Sequence, residues 1–246
     1  MIYLLILGQA MKVENLNPSV WARTWLVTDA STGFCALVDP VYDYMESYDD
    51  ELEKRGLSLR YVIATHTHAD HITACFEYAK RDSVDYVMWH DTASLGVTKY
   101  VYDEEKIMLG KTPISFHFAP GHTSDSMIVQ VPGSIMTGDF LFTGKGGVGR
   151  DDLPSGRYKV HWDALQVLER FDGENMVLTG HDPPECEMQT LGWNRENNPV
   201  LSMKSYDEYK QWQDVVNAGL GAVSKIKVAV PANIFAEIPD HIPWLD

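Results

Sequence analysis

Apolar residues in this 246-residue chain come in short runs, separated by glycine, proline and acidic residues. TWLVTD and FCALVDP flank the turn sequence ASTG and predict a β-hairpin. YMESYDDELEKRG (44–56) has amphipathic spacing and ends on Gly56, which predicts a helix closed there. RYVIATH predicts a buried strand that delivers His66 at its carboxyl end. Asp70 then occupies a helix N-cap position, and HITACFEYAKR is expected to continue as a helix. DYVMWH, ISFHFAP, SMIVQV and SIMTGD read as strands. HWDALQVLERF (161–171) reads as a helix, NMVLTGH as a strand ending on His181, and SYDEYKQWQDVVNAG (205–219) as a late helix with its Trp and Tyr residues on the packing face.

Strands and helices alternate, so the fold class is α/β, and strand ends repeatedly present His or Asp, where open α/β folds place their sites. No repeat and no polar linker interrupts the chain, so a single domain over 1–246 is expected. MIYLLILGQA reads as a strand or an N-terminal extension (1–10), since it lacks the basic start of a signal peptide and Met11 begins a plausible strand of its own.

The formal charge of -15 sets nucleic acid and anionic membrane aside as partners, and an anionic substrate would need a local cationic patch. Cys35, Cys75 and Cys186 are odd in number and widely spaced, which is no disulfide framework and fits a reducing, cytoplasmic location (the mitochondrial matrix in a eukaryote).

The chemistry concentrates in THTHADH (65–71). With APGHTSDS, MTGDF and LTGHD it supplies His66, His68, Asp70, His71, His122, Asp139 and His181, neutral imidazoles and carboxylates that suit zinc, iron or manganese. His90, His117, His161 and His241 read as core or surface residues, and Cys75 as a small core residue.

The spacing H-x-H-x-D-H followed by GH, GD and GH resembles the metallo-β-lactamase superfamily. That resemblance implies an αβ/βα sandwich of two mixed sheets flanked by helices. Two chemistries compete within it. In a dinuclear zinc hydrolase of glyoxalase II or lactonase type, His66, His68 and His122 would hold one zinc and Asp70, His71 and His181 the other, with Asp139 bridging. In a persulfide dioxygenase, also called a sulfur dioxygenase, one Fe(II) would sit on His66, His122 and Asp139. His68, Asp70, His71 and His181 would then be catalytic groups around it.

GGVGRDDL (146–153), NRENNPVL (194–201) and KIKVAVPANIF (225–235) resemble segments of the persulfide dioxygenases. The chain departs from them at DPPECE (182–187), and at Asp151 and Leu153, which stand where threonine and phenylalanine are usual. The resemblance favours Fe(II), one per chain, with two zinc ions as the alternative. The expected small-molecule partners are a glutathione persulfide-like thiol persulfide and O2, with a homodimer as the expected assembly. Arg150, Asp152 and Arg195 are the expected substrate-binding residues.

Overall fold

A computed structural model of the protein describes residues 11–17, 21–181 and 187–245. The readings of the N-terminal extension and of the proline turn at 182–186 lie outside these residues.

Two mixed sheets form the centre. The first has the order β1 (Met11–Asn15), β2 (Trp25–Asp29), β3 (Phe34–Val38), β4 (Ser58–Ile63), β5 (Asp85–Trp89), β6 (Lys99–Val101). Its first three strands are antiparallel and the rest parallel. The second has the order β11 (Met176–Thr179), β10 (Ser134–Gly138), β9 (Met127–Val131), β8 (Thr112–Phe118), β7 (Lys106–Leu109), antiparallel except for the β10–β11 pair.

Alternation along the strands explains the layering. In β2, Trp25 and Val27 point into the core between the sheets with Ile63, Val87, Phe116 and Met136. Leu26 points the other way, toward Tyr48 and Leu52 of α1 (Met45–Arg55) and toward Ala229 and Ala232 of α6 (Ile226–Phe235). On the far side of the second sheet, Ile128, Ile135 and Val177 pack with Leu191 of α4 (Leu191–Asn197) and Tyr209 of α5 (Tyr206–Leu220). Helices therefore cover both outer faces, as the resemblance implies.

The hairpin and α1 form as expected, with Gly56 closing α1 at φ 64. A residue with φ in this range strongly favours glycine. Hydrogen bonds from the hydroxyl and amide of Ser31 and from Lys111 and Thr112 converge on the Asp29 carboxylate. It thereby ties the β2–β3 hairpin to the β7–β8 hairpin of the other sheet. Burial opposes its ionisation, but these hydrogen bonds hold the carboxyl far below the usual carboxylate range.

Two expectations are corrected. The helix after His71 is reduced to a single turn, α2 (Cys75–Tyr78), and Asp70 caps nothing. Tertiary partners take the backbone groups a longer helix would need. The side-chain amide of Asn233 donates to the carbonyls of His68 and His71, and its oxygen accepts from the Thr73 amide. The helix expected at 161–171 begins earlier, as α3 (Tyr158–Ala164), and tightens to a 3-10 helix over Leu165–Arg170. The late helix forms as expected, as α5 from Tyr206 to Leu220 with Ser205 as its N-cap.

Candidate metal centre

β4 runs out at Ile63, and the irregular segment beyond it carries His66, His68, Asp70 and His71. The β8–β9 loop adds His122, the end of β10 adds Asp139, and the residues after β11 add His181. The seven side chains converge. Ligand atoms of His66, His122 and Asp139 lie within 4.8 Å of one another, and so do those of His68, Asp70 and His71. The His68 ring lies between the groups, 4.2 Å from the rings of both His66 and His71. His181 Nε2 also links them, 3.3 Å from Asp70 and 3.6 Å from Asp139.

Hydrogen bonds decide which ring nitrogen each histidine offers. His122 Nδ1 donates to the Arg150 carbonyl at 2.6 Å, and His181 Nδ1 to the Trp21 carbonyl at 3.1 Å, so both turn Nε2 to the centre. His66 Nδ1 donates to the Thr65 hydroxyl, which itself donates to Asp39. His68 is reversed: its Nε2 bonds Asp39 and its Nδ1 is left over.

Among the described residues, His68 Nδ1, both nitrogens of His71 and Asp139 Oδ1 are buried without a hydrogen-bond partner. Buried polar atoms are rarely left so. Orphaned imidazole nitrogens and a carboxylate oxygen within the two groups of converging side chains are what bound cations would satisfy, so the residues fit a metal.

The electrostatics agree. Burial, and then the neighbouring His68 and His122, push His66 well below the usual imidazole range and keep it neutral, as ligation requires. Partial burial opposes ionisation of Asp70, but His71 and His181 hold its carboxyl well below the usual range. Burial would lower His68 too, but the charge and hydrogen bond of Asp39 raise it to about 9, so a metal on its Nδ1 would displace a proton. Gly180 leaves Asp139 its room: a Cβ there would sit 2.5 Å from Asp139 Oδ1.

The expected substrate residues divide. Arg150 lines the cleft of about 490 Å³ over the ligands, and clasps Asp152 through Nε at 2.6 Å and Nη2 at 2.7 Å. Arg195 is not brought to this cleft. It lies over a separate depression with Trp162 and Leu165, donating to the carbonyls of Leu168 and Phe171. Its place on α4, which packs on the outer face of the second sheet, points it away from the ligands.

The segments 146–153, 194–201 and 225–235 mainly brace the ligand loops. Asn194 accepts from the Gly144 amide and Asn198 donates to the carbonyls of Phe142 and Gly147, fixing the glycine loop. Buried Asp151, just after the carbonyl that orients His122, is held by His161, Tyr209 and Gln213.

Sequence reasoning missed Asp39, Asn233 and Trp21. Asp39 sits at φ 54, an uncommon conformation for a residue with a Cβ. A DP pair after a strand is the one signal that pointed at it. Trp21 stacks on His181, ring centroids 5.6 Å apart.

Residues 22–181, a span containing all seven converging side chains, match the Metallo-beta-lactamase superfamily. The chain belongs to that superfamily. Within it, the "Beta-lactamase hydrolase-like protein" of Agrobacterium fabrum is 26% identical over 89% of this chain and 58% of its own length. The chain spans about half the length of the curated relatives of that name. The "Persulfide dioxygenase ETHE1, mitochondrial" of Bos taurus is 26% identical over 90% of this chain and 86% of its own. The "Hydroxyacylglutathione hydrolase" of Chromohalobacter salexigens is 28% identical over 72% of this chain and 68% of its own. The crystal structure of ETHE1 from Myxococcus xanthus superposes with a TM-score of 0.84 at 27% identity, covering 91% of this chain and 98% of that one.

Proposed function

We propose that this superfamily member is an iron-dependent persulfide dioxygenase. The observation that carries the reading is the two-histidine, one-carboxylate set of His66, His122 and Asp139, in a chain similar over 90% of its length to proteins named persulfide dioxygenase. His66, His122 and Asp139 would hold Fe(II), which would supply the activation of dioxygen toward a substrate sulfur that redox-silent zinc does not. The reaction consumes one persulfide, one O2 and one water, and releases the thiol, sulfite and two protons.

The residues of the chain then divide the work. The Arg150 and Trp21 carbonyls hold the His122 and His181 rings in one orientation. Asp39 does the same for His68. His181 Nε2, Asp70 and His71 line the open side and can hold a proton beside the sulfur. The cleft admits a small molecule, and the partners we propose are a thiol persulfide and O2.

One observation favours a second reading. His68 Nδ1 and both nitrogens of His71 are unpartnered beside Asp70, which makes a second ligand set and fits a dinuclear zinc hydrolase. Metal analysis of protein purified without added metal separates the two. We expect about one iron per chain, and O2 uptake with glutathione persulfide that yields sulfite. Two zinc ions per chain, with turnover of a thioester in the absence of O2, would establish the hydrolase instead.

A further inference from the structure

We propose that the cleft over the metal centre selects persulfides with an apolar body, and that its aromatic and aliphatic rim, led by Trp21, sets substrate choice in place of a carboxylate clamp. This rests on the persulfide reading above.

The rim is built from Trp21, Tyr44, Phe142, Leu153, Leu220 and Val223. Trp21 is 62% exposed and Leu220 57%, large apolar surfaces left in water at the mouth of a site. Such patches mark binding surfaces when they are contiguous. The ring of Trp21 lies on His181, so a body resting on Trp21 would hang directly over the ligands.

Charge points the same way. All 20 Lys and Arg side chains of the chain fall among the described residues, and Arg150 and Lys225 are those that line the cleft. Arg150 already donates in parallel to Asp152 and, through Nη1, to the Gly221 carbonyl at 2.8 Å. The Lys225 ammonium lies 4.6 Å from the centre of the Trp244 ring. Asp43 also lines the cleft, with one carboxylate oxygen buried and unpartnered. The two carboxylates of a body such as glutathione would meet one cation with no acid partner among the described residues, Lys225, and would be repelled by Asp43. An apolar body would cover the rim and leave the Arg150–Asp152 pair intact.

The test compares benzyl persulfide with glutathione persulfide in O2 uptake by the iron-loaded protein, and the two parent thiols in binding by calorimetry. We expect kcat/KM for benzyl persulfide to exceed that for glutathione persulfide by about tenfold or more, from the apolar area covered. Benzyl mercaptan should bind correspondingly tighter than glutathione. Trp21→Ala should cut the preference by roughly tenfold, mainly through KM, and Trp21→Phe should restore most of it. The exposed ring can be removed without emptying the core, and the carbonyl that holds His181 stays. A preference for glutathione persulfide, or a ratio indifferent to Trp21→Ala, overturns the proposal and leaves the dioxygenase reading standing. If neither persulfide drives O2 uptake, that reading fails, and thiol binding alone decides: tighter benzyl mercaptan keeps the rim's role, equal or weaker binding removes it.

Discussion

Which nitrogen of an imidazole presents its lone pair to a metal is set by the hydrogen bond the other nitrogen makes. His66, His122 and His181 each give that proton to an oxygen: the Thr65 hydroxyl, the Arg150 carbonyl and the Trp21 carbonyl. His66→Ala, His122→Ala and Asp139→Ala should each abolish iron binding. His68→Ala and His181→Ala should keep most of the iron and lose activity by about 10- to 100-fold, the usual cost of disturbing groups around a metal. Iron content by atomic absorption beside O2 uptake checks this, and equal metal loss in all five variants would favour the dinuclear site. The converging side chains were legible in the sequence because histidine and aspartate at this spacing serve few other purposes. Their holders were not. Asp39 meets His68 across 29 residues, and Trp21 meets His181 across 160, through a backbone carbonyl that any residue could supply.

The strands declared themselves through short continuous apolar runs, since a sheet covered on both faces buries residues at nearly every position, as in the fully buried β2 and β10. The helix after His71 misled for a related reason. Its apolar spacing reports burial, and the segment is buried, but its backbone is bonded to Asn233. Between the sheets, the Asp29 carboxylate is the clearest polar tie. Asp29→Asn puts an amide group where amides and hydroxyls already donate, and should cost roughly 1–3 kcal/mol of stability. The pH dependence follows from the lowered carboxyl. A group whose pKa is depressed by folding stabilises the protein above its unfolded value, near 4, and that contribution is lost as pH falls toward the folded value. Denaturant melts of the wild type should therefore weaken below about pH 4, and Asp29→Asn should flatten that part of the acid limb. An acid limb of the same slope in both proteins would assign the loss to other groups.

The candidate metal centre joins side chains from segments that follow two different sheets. His66, His68, Asp70 and His71 follow the first sheet, whereas His122, Asp139 and His181 belong to the second. A bound ion is then a cross-link between the two layers. Stripping it with a chelator should lower thermal stability, by roughly 2.7 kcal/mol if the metal had been present at a hundred times its dissociation constant. Calorimetry before and after chelation, with the melting temperature recovered on adding Fe(II), is the measurement. An unchanged melting temperature would mean the sheets hold the ligand cage without help from the ion.

Asn233 gives the cage a place in time. The ribosome makes the residue that secures the carbonyls of the histidine-rich loop 162 to 165 positions after the loop itself. Until then a nascent chain offers imidazoles and a carboxylate with nothing to fix their angles, and a flexible N/O site ranks metals by affinity alone, which favours copper and zinc over iron. Discrimination by geometry begins only when α6 docks. The geometry offered to a metal would therefore be set only once α6 has docked, a helix that contributes no side chain to the cluster.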